Sequence, residues 1–363
     1  MSETYINSYG CLTPLGNASD TYNALLEGRS ALRMYPVFGE EGGDLVPLAL
    51  FSKMENGCPP DWLQHIQPII RQLPDQPWGT ARFPVILTGS NFGVGSLYSY
   101  RVTGDSGFLA YTQIQQNLDL LRDLAGWGPH CHVVSDACVS AHMGMDLADK
   151  LLQSSSIEQA LIFSMDFISP FVAAGFYSLK ILNGQHPMPF HAGDSGAIAL
   201  GEGAAFAVFS REKASFCART HALWNEMFHF TGNNPDGTGF SAMASVLSQE
   251  LGGRRIWIKG HGTGTLETGK LEAEFLAAAF PEAPLVSWKG ALGHTLGSCG
   301  LVELALACCS MEKGMAPGCV GSAKPFFTDN VAETSFSTES FDGVLCCANA
   351  FGGAHAGLLL SYE

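Results

Sequence analysis

Three times this chain runs a short apolar segment into a corner of small residues and out again into a helical pattern. The corners lie at 135–138, 260–265 and 289–300. A strand that ends in a tight corner and feeds a helix is the repeating unit of α/β architecture. It places the corner at the carboxyl end of a strand, where such proteins collect their chemistry. The segments leading in are Val133-Val134, 255–259 and 284–288. They are short, with apolar cores (Val133-Val134, Ile256–Ile258, Leu285-Val286) rather than strict alternation, which predicts mostly buried strands. After the first corner, Ala141, Met145, Ala148 and Leu152 share one helical face. The fold class expected is therefore α/β, as two similar halves over residues 1–210 and 211–363.

The remaining elements follow from periodicity and punctuation. Residues 5–16 read as a strand with a glycine turn, and 18–27 as a helix stopped at Gly28. Segment 30–80, rich in Pro and Gly, reads as irregular surface with one short helix near 61–72. Strands are expected at 83–87 and 160–165, helix at 108–125, helix or loop at 171–182, and a bent strand or strand pair at 197–209 around Gly201-Glu202-Gly203. The second half predicts helices near 241–251, 270–279 and 298–313, with final strands at 343–347 and 356–361. The glycine loop 89–95 lacks the Lys-Ser/Thr of a phosphate-binding loop and reads as a structural turn.

Composition narrows the function classes. The net charge of −15 disfavours non-specific binding to nucleic acid or anionic lipid. With 11 cysteines, an odd number, and no C-x-x-C pair, the chain fits neither a small disulfide framework nor a zinc module, so a reducing compartment is expected. The N-terminus lacks the basic and apolar regions of a signal peptide, and no apolar run reaches membrane-spanning length. These features predict a cytoplasmic protein. A hydrophobic content of 46% is enough for a substantial core.

The corners also carry the reactive side chains. Cys138 stands where a helix begins and free N–H groups favour a thiolate; its plainer reading is a buried structural cysteine. His261 opens His-Gly-Thr-Gly-Thr (261–265), and His294 closes Lys-Gly-Ala-Leu-Gly-His (289–294). One cysteine and two histidines could also bind zinc, but they come from three loops with no obvious fourth ligand, so no metal is expected.

On these motifs the chain resembles the β-ketoacyl synthases, the condensing enzymes of fatty-acid and polyketide assembly. Asp-Ala-Cys-Val-Ser-Ala (136–141) resembles their nucleophile motif. The segments 261–265 and Leu-Gly-His-Thr-Leu-Gly (292–297) resemble their two histidine motifs. Lys289 stands five residues before the second histidine, Glu272 matches an acid on the helix after the first, and Ala350-Phe351-Gly352-Gly353 resembles the gatekeeper loop. Thr13-Pro14-Leu15-Gly16 and Leu26–Ser30 are close to family usage as well. The resemblance implies a thiolase-like fold, its two halves packed as an α-β-α-β-α unit. It further implies that Cys138 carries an acyl group, with the oxyanion held by the N–H groups of Cys138 and Phe351. His261 and His294 would hydrogen-bond the enolate left when a malonyl thioester loses CO₂. Lys289 paired with Glu272 would fix the charge near His294; a surface ion pair is the alternative reading. Thr263 and Thr265, with Gly352 and Gly353, would meet the phosphopantetheine arm of an acyl carrier protein, although threonines between glycines also simply finish turns. No bound cofactor is implied.

Departures from the family pattern are specific. The Asp expected three residues before Glu272 is Gly269, the first aromatic of the gatekeeper loop is Asn349, and 190–195 lacks the usual Arg. The chain is also short for the family, in 30–80 and 210–250. A carrier-binding face should be basic, yet Lys and Arg number 19 against 34 acids. Two functions follow: an active condensing enzyme, or a chain-length-factor-like subunit of a heterodimer, as in type II polyketide or aryl-polyene systems. The partners implied are an acyl carrier protein and either a second copy or a ketosynthase-like subunit. A thiolase-like acyltransferase using coenzyme A, with its second cysteine at Cys346 or Cys347, fits the two-histidine pattern poorly.

Overall fold

A computed structural model describes residues 3–38 and 43–363, and Thr220 by its backbone only. Ten main strands form one continuous sheet, with the short strand Gly16–Asn17 pairing at one end of the first. In the first half the spatial order is Cys131–Val134, Val85–Thr88, Gln159–Asp166, Gly203–Ser210 and Thr4–Thr13. In the second half, counted from its own edge, it is Leu285–Val286, Ile256–Lys259, Gly343–Ala350, Ala354–Tyr362 and Phe216–Asn225. Both halves therefore read third, second, fourth, fifth, first. Both also pair in the same senses, parallel among the second, third and fourth strands and antiparallel from the fourth to the first. The two first strands meet antiparallel, Thr4 opposite Ala218 and Ile6 opposite Phe216.

Two helices lie between the halves. Ser140–Leu152 packs on strands Gln159–Asp166 and Val85–Thr88 of one half and Ala354–Tyr362 of the other. Cys299–Glu312 packs on Gly203–Ser210 and Thr4–Thr13 of one half and Gly343–Ala350 of the other. The second is apolar all round, as a helix covered on every side must be, and each residue from Cys299 to Met311 is buried. Outside the sheet, Thr238–Gln249 and Leu266–Ala279 pack together on the second half. Trp62, Ile69, Leu118 and Leu121 cover the first, against Val85, Leu161 and Phe163. The layers run α-β-α-β-α, the thiolase-like arrangement that the resemblance implies.

Several local expectations change. The 30–80 segment contains a hairpin, Arg33–Pro36 with Leu45–Ala49, which pairs in parallel with Leu200–Gly201. Pro47 conceals this strand in the sequence. Residues 39–42 of that segment, and 1–2, lie outside the described residues. The segment after the 89–95 turn is a helix, Val94–Thr103, and 108–125 divides into a 3₁₀ turn, Ser106–Tyr111, and a helix, Ile114–Ala125. Strand Phe216–Asn225 was not anticipated from its mixed polar and apolar residues. It is long because both edges are paired, with Thr4–Ile6 and with 354–362.

Candidate active site

The three corners converge on one cleft. Cys138 sits on the turn Ala137–Val139, between strand Cys131–Val134 and helix Ser140–Leu152. Ala137 adopts φ +43°, a left-handed conformation that costs free energy in a residue with a Cβ. Ser140 Oγ ties the turn by donating to Ala137 O at 2.7 Å and accepting from Asp136 N at 2.8 Å. The result is a sharp bend that lifts the sulfur into the cleft.

His261 follows strand Ile256–Lys259. Its backbone N–H and that of Gly262 both donate to the carboxylate of Glu272, at 2.8 Å for Gly262. Gly262 has φ +38°, and a Cβ there would come within 2.6 Å of Ser287 and 2.7 Å of Phe190, so only glycine lets the chain pass. His294 is fixed by its backbone: His294 N donates to Ala199 O at 2.7 Å and Gly201 N to His294 O at 3.0 Å. Gly201-Glu202-Gly203 has a clear purpose here. A Cβ on Gly201 would come within 2.1 Å of Leu292 O, while Glu202 accepts from Phe51 N and Ile168 N.

His294 Nε2 lies 2.9 Å from Cys138 Sγ, and the two imidazoles stand edge to face with centroids 4.9 Å apart. The sulfur and one nitrogen of each ring fall within 4.8 Å of one another, the only group of three such donors close enough for a metal among the described residues. Around a tetrahedral zinc, sulfur and nitrogen ligands stand about 3.5 Å apart, given the usual bond lengths. The 2.9 Å contact is instead a thiol–imidazole hydrogen bond.

Burial pushes both imidazoles well below the ordinary histidine range, with Lys289 reinforcing the shift, so both are neutral at pH 7. Burial also pushes the Cys138 thiol up, outweighing the opposing pull of Lys289. Cys138 is therefore a thiol at rest rather than the thiolate its helix-start position suggests, and His294 Nε2 is placed to receive its proton.

The expected Lys289–Glu272 pair does not form. Lys289 Nζ binds Glu303 Oε1 at 2.6 Å, and Glu303 Oε2 takes a second lysine, Lys259. Glu272 is instead occupied by the two backbone N–H groups of the first histidine corner. Glu303 left a signal in the sequence: it is the one charge in an apolar stretch from 299 to 311, and a buried acid requires a partner.

Cys138, His261, His294, Thr263, Thr265 and Phe351 all line the cleft, whose volume is about 210 Å³. Thr263 and Thr265 hydroxyls lie 3.2 Å apart. Gly352 and Gly353 do not line it; with φ +88° and +78° they turn the hairpin that presents Phe351. Phe351 stacks on Phe176, with centroids 5.8 Å apart. Phe176, Ile181, Ile198, Thr231 and Asn233 complete walls that motif spacing did not reveal. Asn349 binds His355 Nδ1 through Oδ1 at 2.9 Å, and His355 Nε2 faces Glu226 Oε1 at 3.2 Å, so a polar pair stands where the family pattern has an aromatic.

Residues 225–322 match the family described as beta-ketoacyl synthase, C-terminal domain. The chain is 27% identical over 256 residues to the tetracenomycin polyketide synthase ketoacyl synthase alpha subunit of Streptomyces glaucescens, covering 63% of this chain and 59% of that protein. It is 25% identical over 272 residues to 3-oxoacyl-[acyl-carrier-protein] synthase 2 of Vibrio cholerae, covering 68% of this chain and 65% of that one. The matched region thus spans about three fifths of these relatives. The fold matches over 100% of this chain and 98% of the other with TM-score 0.81, at 22% identity, in the ketosynthase (ApeO) in complex with its chain length factor (ApeC) from Xenorhabdus doucetiae. A beta-ketoacyl synthase from Burkholderia phymatum matches with TM-score 0.82 over 100% of both chains, at 18% identity. In its motifs, over residues 225–322 and in its thiolase-like fold, the chain is similar to the β-ketoacyl synthases.

Proposed function

We propose that this protein is a β-ketoacyl-[acyl-carrier-protein] synthase, an acyltransferase that performs a decarboxylative Claisen condensation. The observation that carries this reading is the convergence in a single cleft of one sulfur and two neutral imidazoles, their donor atoms within 4.8 Å of one another and His294 in direct contact with the sulfur. Cys138 Sγ attacks the carbonyl carbon of an acyl thioester; the carrier leaves as a thiol with the proton that His294 relays. A malonyl thioester then enters on its phosphopantetheine arm, past Thr263 and Thr265. Its carboxylate leaves as CO₂, and the electron pair of the broken C–C bond becomes an enolate. Neutral His261 and His294 donate to the enolate oxygen, and the N–H groups of Cys138 and Phe351 stabilise the tetrahedral oxyanion. The enolate carbon bonds to the acyl carbon, and the Cys138 thiolate departs and takes a proton from solvent. No resident cofactor or metal is required, and the setting is the cytoplasm. Intact-mass spectrometry after incubation with acyl carrier thioesters tests this: an acyl adduct on the native protein, absent from Cys138→Ala, is expected. A native protein that gains no adduct from any acyl thioester would overturn it.

One observation favours a heterodimeric setting. The chain has a large acidic excess, so a ketosynthase-like partner would bring the basic face an acidic carrier needs. Among proteins of the same fold are ketosynthases in complex with chain length factors. In the second reading the chain is itself the chain-length-factor-like subunit, in a polyketide or aryl-polyene system. A complex in which Cys138→Ala leaves product formation intact would establish that role instead.

A further inference from the structure

Lys259 ends strand Ile256–Lys259 two residues before His261, and its side chain runs beneath the site to Glu303. The two oxygens of Glu303 hold different lysines, Lys289 on Oε1 and Lys259 on Oε2. Both lysine side chains are 1% exposed and that of Glu303 is 4%. One lysine would satisfy a buried carboxylate, and the pairing itself gives no stability argument for a second, because desolvating another ammonium offsets what the extra contact contributes. What a second ammonium does supply is field. In an interior that screens poorly, a unit charge several ångströms away acts on every titratable neighbour. Those that feel Lys259 are His261, His294, Lys289, Glu303, Glu272, His142, Cys299 and the Cys346-Cys347 pair.

We propose that Lys259 is a positioning residue of this site, acting through Glu303. By occupying Oε2 it keeps Glu303 from collapsing wholly onto Lys289. The ground beneath the two imidazoles then carries one more positive charge than a Lys289–Glu303 pair alone would give. That charge favours a deprotonated sulfur and a developing enolate, and disfavours an imidazolium at either histidine. Its use in catalysis rests on the condensing function proposed above; its effect on the resting thiol does not.

The test is the alkylation rate of Cys138 by iodoacetamide at fixed pH values from about 7 to about 10, where the rate follows the thiolate fraction, followed by peptide mass mapping. Lys259→Met fills the same space without charge and leaves Glu303 paired with Lys289. The variant is expected to alkylate about threefold or more slowly at each pH, the fold-change of a half-unit rise in the thiol's pKa. Lys259→Arg should hold the wild-type profile. Superimposable profiles for wild type and folded Lys259→Met would overturn the proposal. So would failure of both Lys259→Met and Lys259→Gln to fold, because the lysine would then be structural. Iodoacetamide needs no acyl carrier, so a wild type that alkylates with the expected pH dependence but never acylates would defeat the condensing function and leave this inference standing.

Discussion

Glu303 concentrates the electrostatics of the site in one side chain. Removing either lysine leaves it a partner, whereas Glu303→Ala strands two buried ammoniums at once. Breaking a buried pair from one side costs about 3–5 kcal/mol, because the remaining charge has no partner. Urea unfolding should therefore show Glu303→Ala destabilised by about that much, and Lys259→Met by less than about 1 kcal/mol. The nucleophile and both histidines were legible because each follows an apolar strand and sits among small residues, where few roles other than chemistry suit a polar side chain. The ion triad was not legible as a triad. Its members are 30 and 14 residues apart in sequence, and only the packing of one helix between two half-sheets brings Glu303 under both strand ends. Glu272 misled for a local reason: it lies one helix after His261 and does serve that corner, but through backbone N–H groups rather than through lysine.

At the level of elements, the His294 corner is held by close backbone approach more than by side chains. Leu200–Gly201 is a two-residue strand, yet it bridges the hairpin Arg33–Pro36/Leu45–Ala49 to the His294 corner. Gly201→Ala would place a methyl within 2.1 Å of Leu292 O. The corner must then shift, at a cost of about 1–3 kcal/mol for an overpacked site. The expected result is a lower melting temperature together with slower acyl-adduct formation, since His294 moves with its backbone. A lower melting temperature with unchanged adduct kinetics would show that the corner absorbs the strain elsewhere. Short elements of this kind are hard to read from sequence, because neither periodicity nor propensity operates over two residues. The long helices, with their 3.6-residue apolar spacing, were evident.

Over the whole molecule, buried ionisable groups set a pH preference. Burial raises Asp166 and Glu55 to about 7 and Glu202 to about 8, against the opposing pull of the backbone N–H groups each one accepts. Between the unfolded carboxylate values and these, the folded chain binds more protons than the unfolded one, so their contribution to stability falls as pH rises through that window. The neutral buried histidines act oppositely. His142, lowered to about 3, His261 and His294 cost stability as pH falls below about 6.5, where the unfolded rings gain protons. Above that value the carboxylate effect continues, joined toward about pH 8.5 by buried thiols that burial likewise holds protonated. Thermal melts should accordingly show stability decreasing from pH 6.5 to 8.5, and a flat profile there would mean these carboxylates stay ionised when folded.

The repeated strand order has one more consequence. A scaffold built twice over has each corner in duplicate, and the loop after Val85–Thr88 is the counterpart of the loop that carries His261. There Ser90 and Asn91 N–H groups grip Asp166, and Ser298, just past the second histidine, donates to the same carboxylate. The twin of the His261 loop has thus become a buttress, while the other duplicated pair, the Cys138 and His294 corners, both enter the cleft, so two-fold resemblance in shape coexists with an uneven use of its copies.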